Sequence, residues 1–277
     1  MRKICFLLLA NLLAACSYID VDEQNMVEVN VQFTQFATSV EPMTRAAVSE
    51  VATHLDLWLS DGTDISDYHQ TTENPYFGQF TLTLDKTKTY TMYVVAHKCT
   101  DAATLTDGII SFPDDKVKDT FYYTTTFTPS STTSLQCELE RIVAQLRLET
   151  TDQVPAAVKK MRITVGSVCD RWNTLTATGT HQVDRVSTIT ISSTNQDGTA
   201  TFNVYGIVTD AATNHAVSAE ALDANDQVLY SHQFPSVPLQ NNHRTRIIGT
   251  FFTNYTQQAT QFTAAADWAE DAAVINF

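Results

Sequence analysis

Basic residues are scarce in this chain. Lys and Arg number 17 against 31 Asp and Glu, a formal net charge of −14 over 277 residues. Nucleic acid is therefore not expected as a partner, because binding it needs a basic stripe that displaces counterions. Long apolar runs are also missing. The one at the start, Ile4 to Leu13, is too short for the roughly 20 residues of a spanning helix. No His-Glu-x-x-His, Gly-x-Ser-x-Gly, Gly-Lys-Ser/Thr or Gly-x-Gly-x-x-Gly string occurs, and the seven His are scattered singly. Neither an enzyme nor a cofactor is expected. Asp61, Asp64 and Asp67 share one stretch, but their spacing is not that of a calcium loop, so no metal is expected either. Trp58, Trp172 and Trp268 could stack on sugars, although Trp in an alternating strand usually belongs to the core. No Cys-x-x-Cys pair and no repeat of fixed period is present.

What is present begins with Arg2 and Lys3, the apolar run, and then Leu13-Ala14-Ala15-Cys16. A charged start, an apolar stretch and small residues make a secretory signal of residues 1–15. Leu-Ala-Ala-Cys resembles the box of bacterial lipoproteins, which implies that Cys16 is acylated and holds the protein to the outer membrane. More than one acyl chain there would make attachment stable rather than transient. Residues 16–26 are polar and acidic and read as a tether. Acidic residues soon after the lipidated Cys resemble the surface-export signal of Bacteroidetes lipoproteins. With Cys5 in the signal and Cys16 lipidated, Cys99, Cys137 and Cys169 remain, so at most one disulfide can form. A Cys99–Cys137 bridge and three buried thiols are both open.

From Val27 the chain alternates strictly, with Val27, Val29, Val31 and Phe33 on one face and polar residues on the other, the mark of a half-buried strand. A Pro-containing linker with Arg45 follows. Strands are then expected at residues 55–59, 80–84, 90–96 and 121–127, with long polar loops at 61–78 and 98–119. Residues 135–148 fit helical spacing, but also fit a strand whose phase switches at Glu140-Arg141. One or two helical turns are expected at 156–160, begun by Pro155. Further strands follow at 161–165, 186–191, 200–205, 217–222, 227–234 and 243–253. Many short strands with almost no amphipathic helix predict an all-β chain of two tandem antiparallel β-sandwich domains, at 27–150 and 151–277.

The lipobox, the first alternating strand, Thr44-Arg45-Ala46, Leu139-x-Arg141-x-Val143-Ala144 and Pro238-Leu-Gln-Asn-Asn-His-Arg-Thr-Arg-Ile-Ile-Gly249 come in the order found in fimbrillin-type subunits of Bacteroidales type V pili, which the chain resembles. The resemblance implies transthyretin-like sandwiches, residues 135–148 as strand rather than helix, and a fimbrial (pilus) role in cell adhesion with other fimbrial subunits as partners. It also implies assembly by strand exchange. A protease cuts between Arg45 and Ala46, the strand carrying Val27, Val29, Val31 and Phe33 leaves, and a neighbour's terminal strand takes its place. The C-terminal stretch 261–277 departs from the family's donor strand, being Ala-rich with only Val274, Ile275 and Phe277 as strong strand formers. Stalk, tip and anchor roles thus stay open. So does a surface glycan-binding lipoprotein that recognises a host or bacterial surface ligand without polymerising.

Overall fold

The computed structural model describes residues 25–35, 48–192, 200–209, 212–253 and 271–276. Cys16, Arg45, Ala46, Trp268 and most of the tether lie outside them. Among the described residues no helix is long and apolar enough to cross a membrane.

In the first half the chain forms β1 (Met26–Gln35), a single helical turn α1 (Val48–Val51), β2 (His54–Ser60), β3 (Ile65–Thr71), β4 (Gln79–Asp85) and β5 (Tyr90–His97). The short hairpin β6 (Thr104–Thr106) and β7 (Ile109–Ser111) follows, then β8 (Thr120–Phe127) and β9 (Ser134–Arg141). The second half carries β10 (Ala144–Thr150), β11 (Lys160–Asn173), β12 (Thr178–Thr190), β13 (Thr201–Gly206) and β14 (Thr213–Leu222). It ends with β15 (Val228–Leu239), β16 (Arg244–Gly249) and β17 (Asp271–Asn276). The chain is all-β.

One seven-stranded sheet runs β3-β2-β5-β8-β9-β1-β4. It bends where β8 and β9 meet through only two residue pairs, Phe121 with Arg141 and Tyr122 with Glu140. The bend lays β3-β2-β5-β8 over β9-β1-β4 around one core. Alternation supplies that core, since residues two apart on a strand share a face. Leu55, Leu57, Met92 and Val94 from one layer meet Val29, Val31, Leu82 and Leu139 from the other. A second core lies between the sheet β13-β10-β16-β17 and the sheet containing β15, β14, β11 and β12, where Leu146, Phe202 and Ile247 face Met161, Ala219 and Val237. Between the two, Trp58, Val95 and Tyr122 on the outer side of the first sheet pack with Ile110, Trp172 and Ile207.

Residues 135–148 are strand, as expected, but they form two strands. Ile142 and Val143, both buried, carry the chain from the first sheet at β9 into the four-stranded sheet at β10. The phase change falls there rather than at Glu140-Arg141. The polar stretch 61–78 is not all loop, because it holds β3, and 98–119 holds the β6/β7 hairpin, whose β7 pairs with the end of β11. Residues 156–160 make a turn and enter β11 without helix. Three neighbouring pairs, β1 with β9, β10 with β16 and β16 with β17, run parallel within the otherwise antiparallel ladders.

Candidate functional site

The strand β1 is the part of the candidate site that the described residues contain. It lies inside the seven-stranded sheet, antiparallel to β4 on one side and parallel to β9 on the other. Val29, Val31 and Phe33 are 0%, 1% and 4% exposed, while Val27 is half-buried. Val27 faces Leu84, Val29 faces Leu82 and Val31 faces Phe80 across β4, and Phe33 pairs with Cys137 of β9. The Phe33 ring stands edge-on to Phe80 at 6.0 Å between centroids. On the wet face, Thr81 Oγ1 donates to Asn30 Oδ1 at 3.1 Å and Gln136 Nε2 donates to Gln32 Oε1 at 3.2 Å. The alternation in the sequence located all four apolar residues on one face, and the structure brings them together there.

Among the described residues β4 has no strand partner in the sheet other than β1. At one end it is fastened by a side chain from the opposite margin. Gln70 of β3 donates from Nε2 to Gln79 O at 2.7 Å and accepts from Gly78 N–H at its Oε1 at 3.0 Å. Gly78 has φ +94°, a conformation that favours glycine, and its carbonyl accepts from Phe33 N–H at 2.9 Å.

A second polar cluster was not legible as a site. Asp56 is fully buried on β2 and accepts from His97 Nε2 at 2.8 Å, from His69 Nδ1 at 2.9 Å and from Ala103 N–H at 2.7 Å. Cys99 N lies 3.1 Å from His97 Nδ1, and although burial opposes charge on His97, its bond to Asp56 outweighs burial and raises its pKa to about 9. His69 sets its other nitrogen 3.0 Å from Asp67. Burial opposes charge on His69, but the bonds to Asp56 and Asp67 outweigh it and raise its pKa. His54 stacks on His97 at 5.3 Å, and burial together with His97 lowers its pKa. The cluster pins residues 99–103 to the sheet. Its only sequence signal was an Asp set among leucines in Leu55-Asp56-Leu57.

The three aspartates considered for calcium separate. Asp61 Oδ1 accepts from Thr63 and Asp64 N–H in a turn, Oδ2 accepts from Lys88, and these bonds hold its pKa down. Asp67 lies on β3. Among the described residues no group of three or more His, Cys, Asp or Glu could hold a metal. Cys99, Cys137 and Cys169 are free and buried, and burial pushes the Cys137 thiol up to about 11. Trp58 and Trp172 are core residues. The motif arginines brace joints. Arg141 pairs with Asp119 at 2.8 Å beneath the sheet crossing, and Arg246 holds both oxygens of Glu149 at 2.9 Å.

The C-terminal strand β17 lies at the margin of the four-stranded sheet beside β16, with Ile275 paired to Ile247 and buried in the chain's own core.

Comparison with solved structures places the chain beside a candidate adhesin from Bacteroides ovatus, 13% identical, covering 75% of this chain and 76% of that one at a TM-score of 0.50. That likeness is one of fold. A second candidate adhesin from the same organism is 9% identical, covers 81% and 88%, and has a TM-score of 0.49. The fimbrial anchor protein Mfa2 from Porphyromonas gingivalis is 10% identical, covers 74% and 81%, and has a TM-score of 0.40. No curated protein matches the chain. A family model does match, over residues 21–272, which takes in every strand but the last few residues of β17, and the chain accordingly belongs to that family, a family of unknown function designated DUF6562.

Proposed function

We propose that this protein is a fimbrillin-type subunit of a cell-surface fimbria, carried to the outer membrane on a lipid at Cys16. Cutting between Arg45 and Ala46 releases β1 and turns the subunit into an acceptor for a neighbour's strand. The observation that carries this reading is the position of β1. A strand from the start of the chain, joined to the body by the linker that holds Arg45, lies between β9 and β4 with Val29, Val31 and Phe33 buried. Its loss would leave an open ladder on each side and an apolar slot, the template for strand addition. The likeness to adhesins and to a fimbrial anchor protein supports the surface role. The strand β17 already fills its own sheet, which favours an accepting tip or anchor subunit over a donating stalk subunit.

The test is to treat the folded precursor with an Arg-specific protease and add a peptide copying residues 26–36, with Arg45→Ala as the uncut control. Retention of peptide by cut protein alone supports the reading. Departure of the N-terminal segment with no change in melting temperature refutes it. For the anchor, Cys16→Ser is expected to move the protein out of the detergent phase, and unchanged partitioning would remove the lipid from the account.

A further inference from the structure

We infer that the cleft between residues 116–118, β12 and β13 binds an acidic saccharide through its sulfate or carboxylate group. The cleft has a volume of about 400 Å³, within the range of small-ligand sites, roughly 300–1,000 Å³. Its charge runs against that of the molecule. The chain has a net charge of −14, yet Lys116, Lys118 and Arg185 converge on this cleft, and among the described residues no carboxylate lines it. Lys116 and Lys118 are exposed. Arg185 Nη2 donates to Val117 O at 3.2 Å, which ties the lysine-bearing segment to β12. Burial of Arg185 lowers its pKa, so this charge is held in place at a desolvation cost.

A local cationic site on an acidic surface attracts an anion, and steers it more strongly at low salt. The remaining walls argue for a sugar bearing the anion. Among the lining residues Ser187, Thr188 and Asn203 carry hydroxyl and amide groups, and Val186, 49% exposed, offers aliphatic surface, while Ile189 packs on the core. A pyranose alternates hydroxyl edges with C–H faces and can use both, whereas a bare anion uses the cations alone. With Trp58 and Trp172 buried, ring stacking on these residues is closed to a ligand. The site rests on the surface location proposed above and on no step of strand exchange, because none of its residues belongs to β1, β4 or β9. The two readings therefore fail separately.

The experiment is calorimetric titration of the purified, uncut chain with a chondroitin sulfate disaccharide, digalacturonic acid, cellobiose and sodium sulfate. At least one acidic disaccharide is expected to bind, cellobiose is not, and sulfate alone is expected to bind about tenfold more weakly or worse. The double variant Lys116→Ala/Lys118→Ala is expected to lose roughly a hundredfold in affinity and much of the salt dependence, since each of the two charged hydrogen bonds removed is worth about a factor of ten. Its melting temperature should stay at the wild-type value, and Lys159→Ala should leave binding unchanged. The proposal is overturned if neither acidic disaccharide binds or if cellobiose binds as well. Inorganic sulfate matching the disaccharide, or full affinity in the double variant, would overturn it too.

Discussion

The strands nearest the two ends of the chain, β1 and β17, are placed in opposite ways. Each runs parallel to a strand from the interior of the sequence, β9 or β16. The difference lies on the other flank. There β1 has a second neighbour, β4, which depends on it, whereas among the described residues β17 has no strand beyond it. Taking away β17 trims a sheet; taking away β1 divides one. For the exchange proposed above, a strand whose loss leaves two open ladders is better suited than a marginal strand.

The largest expected effect follows from the burial in β1. Val29, Val31 and Phe33 each contribute roughly 1.5–3 kcal/mol, so truncating all three to Ala is expected to cost about 5–9 kcal/mol. That is comparable to the whole stability of an ordinary domain, about 5–15 kcal/mol. Differential scanning calorimetry of the triple variant should therefore show the melt of the first half lost or displaced far downward. In β17, Ile275→Ala should cost about 2–3 kcal/mol, at the low end for buried Ile because the strand is marginal. The loss per side chain is similar at the two ends, so the contrast rests on three buried side chains in β1, and a loss from Ile275→Ala as large as that of the triple variant would break it.

Much of this difference was legible before the fold was known, and part of it was not. Strict alternation from Val27 to Phe33 marked β1 and its buried face, and Leu55, Leu57 and Leu59 did the same for β2. The strand β3 was read as loop because a margin strand with both faces largely exposed has no apolar period. Its burial pattern, with Ile65 itself 57% exposed, shows none. The hairpin β6/β7 is too short to carry a period at all. Parallel pairing of β1 with β9 joins residues about a hundred positions apart and leaves no local trace. Asp56 reads as a wet-face residue, since nothing nearby in sequence announces His69, His97 and Ala103 as its partners. The cleft was invisible for the same reason, being assembled from residues 116–118, 185–189 and 203–205.

The margin at β3 sharpens the picture of the first sheet, because side chains add to the ladder that β3 makes with β2. His69 joins β3 to Asp56 of β2, and its raised pKa means that the folded state holds a proton more firmly than the unfolded chain does. The stabilisation is complete below the unfolded pKa of 6.5 and is lost as pH rises through the higher folded value. His54 acts in the opposite sense: with its pKa lowered, its contribution is present above 6.5 and lost as pH falls. Melting temperatures of wild type and His69→Gln between pH 6 and pH 9 should converge as pH rises. A gap that is constant with pH would assign His69 a packing role only. The effect is modest, because the His69 side chain is 39% exposed.

The smallest effect in the intact protein, and the most informative one, belongs to Gln70. Its amide makes two bonds to the backbone at the start of β4, to Gln79 O and from Gly78 N–H, from a partly exposed site. While β1 is present, β4 is also held along its length by the ladder from Met26 to Gln32. Gln70→Ala should then cost only about 0.5–1 kcal/mol. Once β1 has gone, the ladder is lost and the Gln70 bonds are among the few contacts still fixing the margin of the slot. The same substitution should therefore destabilise cut protein more than uncut protein, and should slow capture of the 26–36 peptide. A thermodynamic cycle of Gln70→Ala against cleavage at Arg45 measures that difference directly. A coupling energy near zero would mean that β4 keeps its place without help from β3. A clear positive coupling would mean that Gln70 holds the slot open between the departure of one strand and the arrival of the next.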